Sequence, residues 1–326
     1  MVSFGILGTG AALPEKVLSN HDLAKMVETS DQWIIDRTGI RERRQAAPHE
    51  TTSSLSVQAA RKALDMAGLK PTDLDLIICS TISPDMPLPS TAAFIQRDLG
   101  ARPCCSFDLA AACSGFLFGM TVADNFIKTG KAKYALVVGA ELLSRYVDYQ
   151  DRATCVIFGD GVAASVFGPV EPPSGILAED MHTDGAFADH LYIPAGGTAR
   201  PATCFTVQAG EHYIKMRGNE LFKVAVRSME DVSRRVLDKA GVKPDQISLF
   251  IPHQANQRIT DAVRDRLGLD AARVYSNISR IGNTSSASIP ICLDECLRAN
   301  RIKKGDLILM SAFGAGVTWG ATLLRW

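Results

Sequence analysis

"ARKALDMAGLKPTDLDLIICS" (60–80) and "SRRVLDKAGVKPDQISLFIPH" (233–253) are two copies of one unit. Both keep Leu-Asp, Ala-Gly and Lys-Pro in register, at a constant offset of 173 residues between Ala67 and Ala240 and between Pro71 and Pro244. Each copy reads as an amphipathic helix that stops at Ala-Gly, a short polar turn opened by Lys-Pro, and an apolar strand. The duplication continues downstream. "KYALVVGAE" (133–141) matches "GDLILMSAF" (305–313) at an offset of 172. These strands are apolar without alternation, the pattern of strands buried on both faces in α/β layers. The spacing therefore predicts two similar α/β halves, 1–172 and 173–326, joined near the Pro/Gly-rich "GPVEPPSG" (168–175).

Composition excludes several classes. The chain has 326 residues and balances 35 Lys+Arg against 35 Asp+Glu. That balance argues against a nucleic-acid binder, whose footprint is basic. The opening "MVSFGILGTGAALP" has no positive flank and a glycine-broken apolar run, so it reads as a first strand rather than a targeting segment. The charge-free run from Leu109 to Ala123 is too short to span a bilayer. The expectation is a cytoplasmic protein without a membrane segment. Of the eight cysteines, none forms a C-x-x-C pair, and Cys292 and Cys296 share a helix face without completing a metal pattern. No metal and no resident cofactor are expected.

Duplication predicts which residues meet across a pseudo-dyad. Ser80 corresponds to His253 at an offset of 173, and an offset of 172 carries Cys113 onto Ser285 in "GNTSSAS" (282–288). Cys113, in "FDLAAACSGFLFGM" (107–120), heads an apolar helix. A helix N-terminus can draw a thiol down to roughly 3.5–7.5 and make it a nucleophile, although cysteine also packs as a small hydrophobe. His253 ends a buried strand, where a satisfied core histidine is the plain alternative. Asn283 follows a glycine, which by itself is turn chemistry. Together, Cys, His and Asn fall at three strand-to-helix junctions, beside a glycine-rich turn, "SAFGAGVTWG" (311–320), whose free N–H groups could face a reacting oxygen.

At these residues the chain resembles the β-ketoacyl-acyl carrier protein synthase III family. The likeness covers the whole length through "TSDQWIIDRTGIRERR" (29–44), "FDLAAACSGF" (107–116), "FGDGVAAS" (158–165), "HQANQRI" (253–259), "GNTSSASIP" (282–290) and "AFGAGVTWG" (312–320). The resemblance implies an α/β thiolase-like fold, layered αβαβα, in a homodimer. It implies acyl transfer from acyl-CoA to Cys113, then decarboxylative condensation with malonyl-acyl carrier protein, supported by His253 and Asn283. A Cys-His-Asn condensing enzyme of a specialised polyketide or quinolone pathway is the alternative within the same superfamily.

Further roles are implied by the same resemblance. The backbone N–H groups of Cys113 and Ala315 form the oxyanion hole; the family commonly has glycine at the latter position. Coenzyme A contacts fall on Thr29, Trp33, Arg37, Arg152, Asn219, Asn256 and Phe313, with Trp33 and Arg152 clasping the adenine. Carrier-protein docking falls on Lys223, Gln254, Arg258 and Arg266. Phe158 walls the tunnel, and Leu88 closes the partner's acyl pocket, which implies acetyl and short or branched primers.

Overall fold

The computed structural model describes residues 3–326 and every side chain among them except that of Asn219. Met1, Val2 and the contact expected of Asn219 lie outside the described residues. The first sheet contains Ser3–Ala12 (β1), Leu76–Ser80 (β2), Cys105–Leu109 (β3), Ala135–Leu142 (β4) and Asp160–Val170 (β5), in the spatial order β1-β5-β4-β2-β3. The second contains Gly175–Thr183 (β6), Leu249–Pro252 (β7), Leu307–Gly314 (β8) and Thr318–Arg325 (β9), in the order β7-β8-β9-β6. In each sheet the last two long strands and the first pair antiparallel, and the repeat strand pairs parallel. The sheets divide at Glu171–Ser174, between β5 and β6.

Among the described residues, seven helices of eight residues or more complete the frame: Asp31–Thr38 (α1), Thr52–Ala67 (α2), Thr91–Leu99 (α3), Gly115–Lys128 (α4), Gly218–Ala240 (α5), Gln257–Leu267 (α6) and Ser288–Arg298 (α7). Helices α2 and α3 cover the outer face of the first sheet, and α5 and α6 that of the second. Helices α4 and α7 lie between the sheets. Phe116, Leu117 and Met120 of α4 and Ile289, Cys292 and Leu293 of α7 pack against Ile78 and Val137 on one side and Ile251 and Met310 on the other. Burying each such side chain contributes about 1.5–3 kcal/mol, and Cys292 and Cys296 spend their thiols in this packing. The five layers are the α/β/α/β/α stack of a thiolase-like fold.

The repeat is local chemistry as well as topology. Helices α2 and α5 both end on a glycine in the left-handed conformation, Gly68 at φ 66° and Gly241 at φ 65°. A Cβ at either would meet nothing within 4 Å, so the requirement is conformational rather than spatial. The Lys-Pro turns are also superposable in kind. Lys70 N–H donates to Asp73 at 2.7 Å, and Lys243 N–H to Gln246 at 2.8 Å.

Two expectations change. The offset of 172 does not hold at the central helices. The two left-handed residues that enter them are Ala112 (φ 45°) and Ser285 (φ 48°), 173 apart, so the counterpart of Cys113 is Ser286. The offset falls to 172 only beyond α4 and α7, because α7 is three residues shorter than α4 while its return to the next strand is two residues longer. Strand β3 also has no full counterpart. The equivalent edge is a single parallel bridge between Phe250 and Val274.

Candidate active site

Cys113 stands where β3 turns into α4. Ala112 carries the strained turn, a short 3-10 segment spans Ala112–Ser114, and α4 starts at Gly115. Two contacts lock this elbow to the glycine-rich turn between β8 and β9. Ser114 Oγ donates to the Thr318 carbonyl at 3.1 Å, and Thr318 Oγ1 to the Ala111 carbonyl at 3.0 Å. Gly314 lies so close that a Cβ there would sit 2.6 Å from the Cys113 nitrogen.

His253 follows the last residue of β7 and is buried. Its Nδ1 lies 2.7 Å from Ser288 Oγ at the start of α7. Gln254 N–H already donates to that oxygen at 3.4 Å, so the Ser288 proton is free for Nδ1. With the Ser288 proton given to Nδ1, the neutral ring keeps its own proton on Nε2 and presents it as a donor. Burial lowers the imidazole pKa to about 3, so the ring is neutral throughout the physiological range.

Asn283 is held by its own backbone. Its N–H donates to the Ile157 carbonyl at 3.0 Å, and its carbonyl accepts from Gly159 N–H at 2.9 Å. Its side-chain oxygen caps Ser285 N–H at 2.8 Å. The amide nitrogen has no hydrogen-bond partner among the described residues and remains a donor. The thiol behaves otherwise than the helix terminus alone predicts. Cys113 is buried, and desolvation pushes its pKa up to about 12. The donors around the sulfur have to favour the thiolate for Cys113 to act as a nucleophile.

Cys113, His253 and Asn283 line one cavity of about 600 Å³ with Phe158, Phe313 and Gly314. Its mouth carries Trp33, Arg37, Arg152, Asn256, Lys223 and Arg258. The volume is ordinary for a small-molecule site. Arg152 lies over the Trp33 ring at 4.6 Å, and Arg37 at 5.0 Å. The expected clasp is therefore assembled but shut. A base between Trp33 and Arg152 needs about 7 Å, twice the usual contact distance, so Arg152 has to swing away. Its present anchor is the Glu28 carbonyl at 2.9 Å.

The described residues contain two family-model matches: 3-oxoacyl-[acyl-carrier-protein] synthase III over residues 107–185, and its C-terminal model over 237–326. A β-ketoacyl-[acyl-carrier-protein] synthase III of Symbiobacterium thermophilum is 52% identical over 322 residues, covering 99% of this chain and 98% of that one. The chain belongs to the β-ketoacyl-acyl carrier protein synthase III family.

It is an acyl-transferring condensing enzyme of the type that initiates fatty acid synthesis. The crystal structure of the Aquifex aeolicus synthase III superposes with a TM-score of 0.92 at 51% identity, over 99% of this chain and 100% of that one. The priming β-ketosynthase of the R1128 polyketide pathway also gives 0.92, at 33% identity, over 99% and 96% of the two chains.

Within this synthase III several expected roles move. Gln254 is fully buried, and its amide is saturated by Pro252, Ser276 and Asn277, so it braces the loop after β7 instead of facing a carrier protein. Arg266 is exposed but paired with Glu230 at 2.9 Å, so of the basic side chains expected to meet a carrier protein only Lys223 and Arg258 line the mouth. Asn256 caps α6 through Arg258 N–H and donates to the Arg37 carbonyl at 2.9 Å. Those bonds tie the Arg37 helix to the cavity rim. Thr29 does not line the cavity, and its buried hydroxyl has no partner among the described residues. Ala315 lines a second hollow, of about 520 Å³, with Ala111 and Ala112, while Gly314 faces the catalytic cavity. Leu88 is 83% exposed and touches neither wall of the cavity of its own chain.

Sequence reasoning missed Ser288 and Gly314, although both sit inside motifs that it singled out. Ser288→Ala is expected to slow condensation about fivefold to tenfold, the worth of one hydrogen bond of about 1–1.5 kcal/mol, while acyl loading changes little. Separate assays of the two half-reactions check this, and an equal loss in both would mean that Ser288 acts only through the fold.

Proposed function

We propose that this enzyme transfers an acetyl or short or branched acyl group from acyl-CoA to Cys113 and condenses it with malonyl-acyl carrier protein. The observation that carries this reading is one cavity with Cys113, His253 and Asn283 at its floor and an arginine–tryptophan clasp at its mouth. In the first half-reaction the Cys113 thiolate attacks the thioester carbonyl, and coenzyme A leaves with its sulfur. Backbone N–H groups of Cys113 and of the Gly314–Ala315 turn serve the tetrahedral oxyanion. In the second, the malonyl C–carboxylate bond breaks and carbon dioxide leaves. His253 Nε2–H and the Asn283 amide hold the enolate oxygen, the enolate carbon attacks the acyl carbonyl, and the Cys113 sulfur is released.

Trp33, Arg37 and Arg152 suit an adenine nucleotide, through stacking and phosphate charge. Lys223 and Arg258 suit an acidic carrier protein. The Arg258 guanidinium already rests on Phe222 at 5.5 Å. Exposed Leu88 and Met86 fit a homodimer in which Leu88 reaches the partner's acyl site. Among the described residues no helix is long and apolar enough to cross a membrane. The proposed setting is the cytoplasm. Among the described residues no cluster of His, Cys, Asp or Glu could hold a metal, and the proposed chemistry uses no cofactor.

The test separates the half-reactions. Acetyl-CoA should add one acetyl group to the Cys113 peptide, and malonyl-acyl carrier protein should then yield a 3-oxoacyl-carrier protein. Free acetate without a new carbon–carbon bond would indicate a hydrolase instead. Arg258→Glu should slow the second step at least tenfold and leave acetyl loading within about twofold, because reversing one rim charge acts mainly on encounter with a charged partner.

A further inference from the structure

Glu141, near the end of β4, is the one charged residue in the apolar run "ALVVGAEL" (135–142), and its side chain is completely buried. It lies on the first-half side of the pseudo-dyad. Ser286, the structural counterpart of Cys113, approaches it from the second half.

The surroundings fix where the protons go. Oε2 accepts from Ser83 Oγ at 2.7 Å and from Ile82 N–H at 3.3 Å. Ser83 Oγ is free to donate, because it accepts from Leu142 N–H. Oε1 faces Ser286 Oγ at 3.1 Å, and the same hydroxyl lies 2.8 Å from the Ser80 carbonyl oxygen. A carbonyl only accepts, so the single Ser286 proton is committed to Ser80. The remaining contact needs its proton from the carboxyl. Titratable groups that bear on this carboxyl are Cys79 on β2, Cys113 at the head of α4 and Tyr146 beyond β4. None is a cation, and the groups that act most strongly on this carboxyl are hydroxyls and one amide N–H. Ser285 Oγ, buried and without a well-formed hydrogen bond, neighbours both the Cys113 thiol and the Glu141 carboxyl.

We propose that Glu141 is a positioning residue held as a neutral carboxylic acid, donating its proton to Ser286 and keeping the ground beneath Cys113 uncharged, so that its ionisation opposes thiolate formation at Cys113. Burial raises the Glu141 pKa to about 7, which places that opposition within the working range. The sign is fixed. Below this pH the acid is neutral and the thiolate meets no local negative charge. Above it the carboxylate pushes the thiol pKa further up. The inference rests on Cys113 being the nucleophile, but thiol reactivity tests it without acyl-CoA or carrier protein.

The experiment follows iodoacetamide alkylation from about pH 6 to 9 in the full-length protein. It is read at the Cys113 peptide by mass spectrometry, because Cys105 and Cys204 are exposed and react too. Glu141→Gln supplies a permanent neutral donor and acceptor. It should react about threefold to tenfold faster than wild type above pH 8 and converge with it at pH 6. Ser286→Ala removes the acceptor that stabilises the neutral acid, so the bend in the profile should move to lower pH. If Ser286 instead donated to a carboxylate, the bend would move up. An E141Q profile that overlays wild type, or an upward shift in S286A, would overturn the proposal. If Cys113 takes up acetyl but these shifts are absent, this inference alone fails. Shifts without acetyl uptake would sink the assigned reaction and leave the inference standing.

Discussion

Cys113→Ala is expected to bring acyl loading to background, a loss on the order of 10⁴-fold or more, as for deletion of a covalent nucleophile. The reason is specific to this floor. The other seven cysteines do not line the catalytic cavity, so no second thiol can take the acyl group. The substitution leaves standing what the second half-reaction needs. His253 is held by Ser288, and Asn283 by Ile157, Gly159 and Ser285, none of which depends on the sulfur. C113A should therefore still release carbon dioxide from malonyl-acyl carrier protein while forming no condensation product. Acetyl incorporation and carbon dioxide release, measured on the same preparation, check both arms. Loss of both activities with retained folding would mean that the sulfur also serves the enolate step.

His253→Ala and Asn283→Ala should have the opposite profile. Each removes one donor aimed at the developing enolate, and one such donor is worth about 2.7–4 kcal/mol, or roughly 10²–10³-fold. Acetyl loading should survive in both. The double variant should lose less than the product of the single losses, because both donors serve one oxygen. The pH behaviour depends on the state of the ring. With a folded pKa of about 3 against about 6.5 unfolded, His253 does not titrate in the physiological range, so condensation should show no acid limb from it. Stability behaves differently. A base whose pKa is depressed on folding costs stability as pH falls from about 6.5 towards 3, where only the unfolded chain takes up the proton. H253A should flatten that part of the stability curve in thermal melts. An acid limb near pH 6.5 in condensation that disappears in H253A would contradict the buried, neutral ring.

The duplication made much of this legible from the residues alone. Ala-Gly and Lys-Pro are short-range signals, since a left-handed cap and an N-terminal proline turn are decided by the residues themselves. They mark α2 and α5 and the next strand in both halves. Cys113, His253 and Asn283, which line one cavity, were singled out for the same reason, at junctions that sequence punctuates with small residues. What sequence did not disclose depends on distance through space. Gln254 adjoins His253 in a matched motif, yet its side chain turns inward to Ser276 and Asn277, over twenty residues away. Arg266 carries a charge that Glu230 on another helix neutralises. Cys113 sits at the expected helix terminus, but its burial pushes the thiol pKa up. The one-residue error in the pseudo-dyad had a similar origin, because the shorter α7 and its longer return shift only the residues beyond them.

The middle layer has a consequence for how the molecule comes apart. Helices α4 and α7 enter from different halves, yet each packs against both sheets, and neither sheet has an inner face of its own. Unfolding one half would strip the other's interior bare, so there is no intermediate in which a single half stands. Two copies of one unit are thus expected to melt in a single calorimetric transition, and the boundary visible in the sequence is a seam of ancestry with no matching seam in packing.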